Sequence, residues 1–161
     1  MQYKAIFQSL QTHGVKYVVT GGVAVNIYGI QRMTVDLDLV VDLNAENLKQ
    51  FRKVVDQIGL QTSLPIRLEA FADNSFRRIM IHQKNMIAYS FFNTGPKLFV
   101  VDVIIDMPIP FDEIWKQRET RHVEGIDIEI ISIEHLIALK KESDREVDQS
   151  DIAALSKLKN L

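Results

Sequence analysis

Thr34-Val35-Asp36-Leu37-Asp38-Leu39 is the stretch on which the reading of this chain turns. In an extended strand successive side chains point to opposite faces, so Asp36 and Asp38 project together with Cα atoms roughly 7 Å apart. Val35, Leu37 and Leu39 face the other way. Two carboxylates so placed can share one or two hard divalent cations. Taken alone, an Asp-x-Asp on an alternating strand is a solvated face. Its surroundings point further.

Upstream, the apolar run Tyr17-Val18-Val19 leads into Gly21-Gly22 and then Val23-Ala24-Val25-Asn26-Ile27-Tyr28. That order reads as a strand, a tight turn and a short helix. Such a turn offers bare backbone amides at a helix N-terminus, where anions bind. An anion cradle followed by a carboxylate pair is the layout expected for a nucleoside triphosphate held with Mg2+. A mononucleotide P-loop would need Lys-Ser or Lys-Thr after its glycines, and a dinucleotide fold a third glycine opening the helix. Neither pattern occurs.

Downstream, Leu98-Phe99-Val100-Val101-Asp102-Val103-Ile104-Ile105-Asp106 is apolar except for two aspartates. An ionised carboxylate inside such a strand is costly without a compensating positive charge. A metal shared with Asp36 and Asp38 would compensate Asp102, and a neighbouring strand can bring it to that pair. Asp106 lies on the same face but roughly 13 Å further along, which makes it the poorer ligand.

The remaining elements frame these two strands. A helix is expected over Tyr3 to Leu10, and another from an Asn44 cap to Ile58, with Leu48, Phe51, Val54, Val55 and Ile58 as its apolar stripe and Gly59 ending it. Residues 60–85 read as a partly helical excursion. Met86 to Phe92 and Leu98 to Ile105 flank Asn93-Thr94-Gly95-Pro96-Lys97 as an antiparallel hairpin. A short helix over Phe111 to Arg118, a last strand over Asp127 to Ile131, and helices over Ile133 to Lys141 and about Gln149 to Leu158 complete the chain. The fold class is α/β (α+β): a small mixed sheet, flanking helices and a helical C-terminus.

Composition sets the bounds. At 161 residues, 47% hydrophobic and 25% charged, the chain is expected to form one folded domain over 1–161. There is no cysteine, so disulfides and thiolate chemistry are excluded. A net charge of −2 with scattered basic residues lacks the footprint of a dedicated nucleic-acid binder. Without a leader-like segment or an apolar run near about 18 residues, a cytoplasmic protein with no membrane partner is expected. His13, His82, His122 and His135 have no ligand spacing. Trp115 with Phe111 and Ile114 reads as core or interface.

Gly21-Gly22, Asp36, Asp38 and the later Asp102 together resemble the polymerase-β-like nucleotidyltransferase superfamily. More narrowly, Thr20 to Ala24 through Gly29-Ile30-Gln31-Arg32-Met33-Thr34-Val35-Asp36-Leu37-Asp38 looks like the small bacterial nucleotidyltransferases related to abortive-infection (AbiEii-type) toxins. Leu136-Ile137-Ala138-Leu139-Lys140, followed by Arg145, Asp148 and Asp151-Ile152, is similar to their tail motif. The resemblance implies the nucleotidyltransferase fold. It also implies transfer of a nucleoside monophosphate from a nucleoside triphosphate to an acceptor hydroxyl on tRNA, protein or a small molecule, with release of pyrophosphate. Asp36, Asp38 and Asp102 would be both catalytic residues and ligands of two Mg2+ ions. Gly21, Gly22, Arg32, Thr34 and Lys140 would bind the nucleotide, Arg32 and Lys140 by neutralising phosphate charge. Gly22 stands where many active members carry serine.

The implied partners are the triphosphate, an acceptor, and an antitoxin, a helical partner protein or a second copy in a homodimer. A toxin of a toxin–antitoxin pair is one version of this reading. The alternative is a catalytically silent nucleotide-binding or protein-interaction module with the same fold.

Overall fold

Strands β1 (Tyr17–Thr20) and β2 (Asp36–Val41) pair antiparallel at the centre of a six-stranded sheet. The computed structural model describes residues 1–161. β4 (Val100–Ile104) lies parallel to β2, and β3 (Ala88–Phe92) folds back antiparallel on β4 as the expected hairpin. β6 (Ile126–Ile130) runs parallel to β1, and β5 (Glu119–Val123) closes the other edge antiparallel to β6. The order is β3-β4-β2-β1-β6-β5, a mixed sheet.

Alternation sorts the faces. Tyr17, Val19, Leu37, Leu39, Val41, Val101, Val103, Tyr89 and Phe91 are all buried. Full burial of a Val, Leu or Phe contributes about 1.5–3 kcal/mol. Helices α1 (Lys4–Thr12) and α3 (Ala45–Ile58) cover this face, Phe7 stacking on Tyr17 at 6.2 Å and Phe51 meeting Phe91 at 6.0 Å between ring centroids. The ends of α3 follow from its sequence. The Asn44 side chain accepts a hydrogen bond from Asn47 N, and Gly59 takes the left-handed conformation at φ 77°.

The segment 60–85 resolves into a 3-10 turn at Leu68–Ala72 and helix α4 (Asn74–Lys84), whose first turn is capped by Asp73 accepting from Phe76 N at 3.1 Å. Phe71 from this excursion packs edge-on to Tyr89, 5.9 Å away.

Strand β5 has no counterpart in the sequence reading. Its central residues, Thr120 to His122, are exposed, so no apolar alternation marks it. The signal for it was the Glu124-Gly125 pair, which takes φ 49° and 84° and makes a two-residue hairpin turn. The expected last strand is therefore the second arm of a hairpin. In the connection from β4 to β5, α5 (Phe111–Gln117) carries Trp115 stacked on Phe111, with the Arg118 guanidinium 3.6 Å from its ring centre.

On the opposite face from α3, α2 (Gly21–Ile27) starts on the glycines themselves, so the predicted turn is the first turn of the helix. α6 (Ile133–Ser143) is capped by Ser132, which accepts from His135 N. α7 (Glu146–Lys159) begins three residues earlier than expected because the Asp148 carboxylate accepts from the Arg145 backbone N–H and closes the first turn. No helix is long and apolar enough to cross a membrane.

Candidate active site

The register places four polar residues in a line across the face opposite α3. Thr20 of β1 pairs with Asp38 of β2, Asp38 with Asp102 of β4, and Asp102 with Ser90 of β3. Asp36, two residues before Asp38, shares the face. Each occupies a position whose strand neighbours point into the core, so hydrophobic alternation in three separate segments fixes the direction of the carboxylates. Ser90 Oγ donates to Asp102 Oδ1 at 2.5 Å, which holds that carboxylate on the β3 side.

Three carboxylates on one low-dielectric face repel each other. Burial, reinforced by the charges of Asp102 and Asp36, pushes the Asp38 carboxyl up to about 7, although Arg145 and Arg32 pull the other way. No three acidic or histidine side chains are already drawn together as a finished metal cage. The donor set nevertheless fits a hard divalent cation: every donor is a carboxylate oxygen, and the face carries a charge deficit that such a cation would relieve.

Gly21 adopts φ 64°, and a Cβ there would lie 2.0 Å from Asp38 Oδ2, so the carboxylate rests directly against the bare backbone. A Cβ on Gly22 would meet Thr34 Oγ1 at 2.8 Å and Arg32 Nη1 at 2.9 Å. The space of a serine side chain is thus filled by Arg32 and Thr34. The loop that carries them is pinned by Arg32 N donating to Asn26 Oδ1, by Tyr3 Oη donating to the Val35 carbonyl, and by Thr34 Oγ1 donating to the Asp36 carbonyl.

Arg32 and Lys140 both meet the C-terminal helices. Arg32 Nη1 pairs with Asp151 at 3.1 Å, while its buried Nε has no partner. Lys140 Nζ is buried and sits between Asp151, at 2.7 Å, and Asp148, at 3.2 Å. Burial alone would raise the Asp148 carboxyl, but hydrogen bonds from Arg145, Ser143 and Lys140 outweigh it and hold that group well below the usual carboxylate range. Lys140 is therefore already neutralised from within, and the structure does not bring it free to the carboxylate face.

Arg145 is the cation that does face it. Its side chain is 66% exposed, anchored by Nε on Asp148 at 2.9 Å, and lines a cavity of about 360 Å³ together with Thr20, Gly21 and Asp38. In sequence it stands in the tail motif beside Lys140 and several acids, where a helix-face ion pair competes with a phosphate role. The same cavity is also lined by Ile87, Ile104, Met107, Pro108, Leu136 and Leu139, and by Asp106, which lies beyond the end of β4.

Residues 82–160 match the sequence profile of the family described as "Nucleotidyl transferase of unknown function (DUF2204)". No curated protein matches the chain in sequence. Solved structures do match in fold. An antigenic nucleotidyltransferase-like protein from Paracoccidioides brasiliensis superposes with a TM-score of 0.57 at 18% identity, over 98% of this chain and 74% of that one. The lincosamide antibiotic adenylyltransferase LnuA, lincomycin-bound, gives 0.59 at 14% identity, over 96% and 94%. ANT(2")-Ia in complex with adenylyl-2"-tobramycin gives 0.55 at 12% identity, over 99% and 88%. The chain has the nucleotidyltransferase fold.

Proposed function

We propose that this protein is a divalent-metal-dependent nucleotidyltransferase that moves a nucleoside monophosphate from a nucleoside triphosphate to an acceptor hydroxyl. The observation that carries the reading is the register pairing of Asp38 with Asp102, beside Asp36 and against the glycine start of α2. The fold and the match over residues 82–160 support it.

Asp36, Asp38 and Asp102 would hold the cations, which are Mg2+ in this reading and, when bound, neutralise charge on the transferring phosphoryl group. The α2 amides at Gly21 and Gly22 and the Arg145 guanidinium bind and orient the triphosphate. Arg32 and Thr34 hold the loop against Gly22. Lys140 acts through Asp148, whose carboxylate orients Arg145. Asp102 takes the proton of the acceptor hydroxyl as that oxygen bonds to the α-phosphorus, and the bond to pyrophosphate breaks in line. Ser90 keeps Asp102 aimed for this.

The acceptor class is set outside the carboxylate row. One neighbour with this fold is a lincosamide antibiotic adenylyltransferase and another holds adenylyl-2"-tobramycin, which supports a small-molecule hydroxyl as one class; tRNA and protein hydroxyls fit the same chemistry. The tail motif supports a toxin role, checked by growth arrest on expression of wild type and its absence with Asp36→Asn. An antitoxin, a helical partner or a second copy would show as a complex in size-exclusion light scattering.

The test is thermal unfolding with each ribonucleoside triphosphate, with and without Mg2+, on wild type and on Asp36→Asn/Asp38→Asn, followed by pyrophosphate release. A Mg2+-dependent rise confined to wild type is expected. No rise with any triphosphate would overturn the reading. A second reading, a silent nucleotide-binding module, draws on Arg32 and Lys140 being tied to internal carboxylates. It predicts the same stabilisation with no pyrophosphate released to any acceptor.

A further inference from the structure

Of the three carboxylates in the row, Asp102 alone is bonded to a side-chain hydroxyl, that of Ser90, Oγ to Oδ1 at 2.5 Å. The contact follows from register. Ser90 and Asp102 are direct partners in the antiparallel pairing of β3 with β4, so their side chains stand next to each other on one face. Alternation along β3 buries Tyr89 and Phe91 and turns Ser90 outwards, where it is exposed. On the same face Ala88 stands opposite Ile104 and Phe92 opposite Val100, so Ser90 with Asp102 is the one polar pair between these strands.

The other hydroxyls around the row are committed or covered. Thr20 is buried, Thr34 Oγ1 donates to the Asp36 carbonyl, and Ser143 Oγ donates to the Asp148 carboxylate. Ser90 alone combines exposure to solvent with a bond to a row carboxylate.

A hydroxyl that donates to a carboxylate has its proton directed at a base and its lone pairs free for an electrophile, which is the arrangement of an activated nucleophile. In the proposed function Asp102 receives the proton of the acceptor hydroxyl. Ser90 Oγ already makes the hydrogen bond that such a hydroxyl would make.

We propose that Ser90 is itself an acceptor, so that the protein transfers a nucleoside monophosphate onto its own Ser90 Oγ; this rests on the nucleotidyl-transfer reading of the same carboxylates. Ser90 Oγ bonds to the α-phosphorus as the bond from that phosphorus to the α,β-bridging oxygen breaks, and pyrophosphate leaves with the electron pair. The hydroxyl proton passes to Asp102 and from there to water. The product is a phosphodiester on β3. It no longer donates to Asp102, and it sets a nucleotide beside the three carboxylates, so the reaction stops at one nucleotide per chain and closes the site to further triphosphate. An external acceptor must displace Ser90 from Asp102, which makes the serine its competitor.

The experiment incubates the full chain with Mg2+ and each ribonucleoside triphosphate, then reads intact mass and the modified peptide after metal and nucleotide are removed. Wild type is expected to gain one nucleoside monophosphate, mapped to Ser90, at a rate per chain unchanged by dilution, because donor site and acceptor share one molecule. Ser90→Ala should gain none, and Ser90→Thr, which keeps a hydroxyl, should restore the gain. Asp102→Asn should slow it at least about a hundredfold. Mg2+-dependent thermal stabilisation by an α,β-methylene triphosphate, whose pyrophosphate group cannot leave, reads the site without transfer. It should be present in Ser90→Ala and absent from wild type that has already been modified. Stabilisation by this analogue in wild type with no gain in mass from any triphosphate, or a gain that persists in Ser90→Ala, overturns the inference and leaves the proposed function standing. No stabilisation by any triphosphate or by the analogue overturns both.

Discussion

Asp102 stands directly opposite Asp38 across a parallel strand pair, and its charge adds to the cost of ionising Asp38 while the two carboxylates offer one joint site to a cation. A face built this way is held together in spite of its function-bearing residues. Asp38→Asn should therefore stabilise the metal-free protein, by about 1 kcal/mol or roughly 2–4 °C in a domain of this size, while abolishing Mg2+-dependent stabilisation by a triphosphate. Paired melting curves with and without Mg2+ check both halves. A destabilised metal-free variant would contradict this account of the electrostatics.

The pH dependence has a defined sign. In the folded metal-free chain Asp38 keeps its proton to about pH 7, against an ordinary value of 3.8. Between those values the folded state binds more protons than the unfolded state, so this group's contribution to stability falls as pH rises. Wild type and Asp38→Asn should be nearly equal at pH 4, with the variant ahead by pH 8 in urea unfolding. Saturating Mg2+ with nucleotide should shrink the gap, since binding displaces the proton.

Gly22→Ser restores the residue that many resembling enzymes carry, yet its Cβ would fall within 3 Å of both Thr34 and Arg32. The expected result is a displaced Arg32, loss of its pairing with Asp151, and a stability loss of about 1–3 kcal/mol. The double variant Gly22→Ser/Arg32→Ala should recover part of that loss, because one of the two crowding side chains is gone. Equal melting temperatures for the single and double variants would count against the clash.

Lys140→Met leaves Asp148 and Asp151 buried beside each other without the ammonium that joins them. The cost expected is about 3–5 kcal/mol, the range for breaking a buried pair. Lys140→Arg should not rescue it, because the space between those carboxylates accommodates a point charge and not a planar fork. Chemical denaturation of both variants gives the answer.

What the sequence displayed, and what it concealed, follows from which forces write locally. Period-two alternation at Leu37, Leu39, Val101 and Val103 determined both strands and the direction of their aspartates, and Asn44 with Gly59 delimited α3 within a residue. Strand β5 was invisible because an exposed edge strand has no buried face to impose a pattern. Which cation faces the carboxylates was equally hidden. Lys140 and Arg145 lie five residues apart and carry the same charge, and only the burial of Lys140 between Asp148 and Asp151 separates their situations. Asp106 read as a poor metal ligand at a strand end; that the strand stops at Ile104 and leaves it on a cavity wall depends on its backbone pairing with Ile87.

The line Ser90, Asp102, Asp38, Thr20 draws one residue from each of four strands, the most distant being 82 positions apart in the chain. No fragment contains it, and its central link is a parallel pairing that requires the long crossover from β2 to β4 to close first. Contacts of such sequence separation form slowly, because loop-closure entropy must be met before they stabilise anything. Cation binding is thus a property of the finished sheet. During refolding, metal-dependent protection should emerge in the last kinetic phase, after helix α3 and the β3–β4 hairpin are in place.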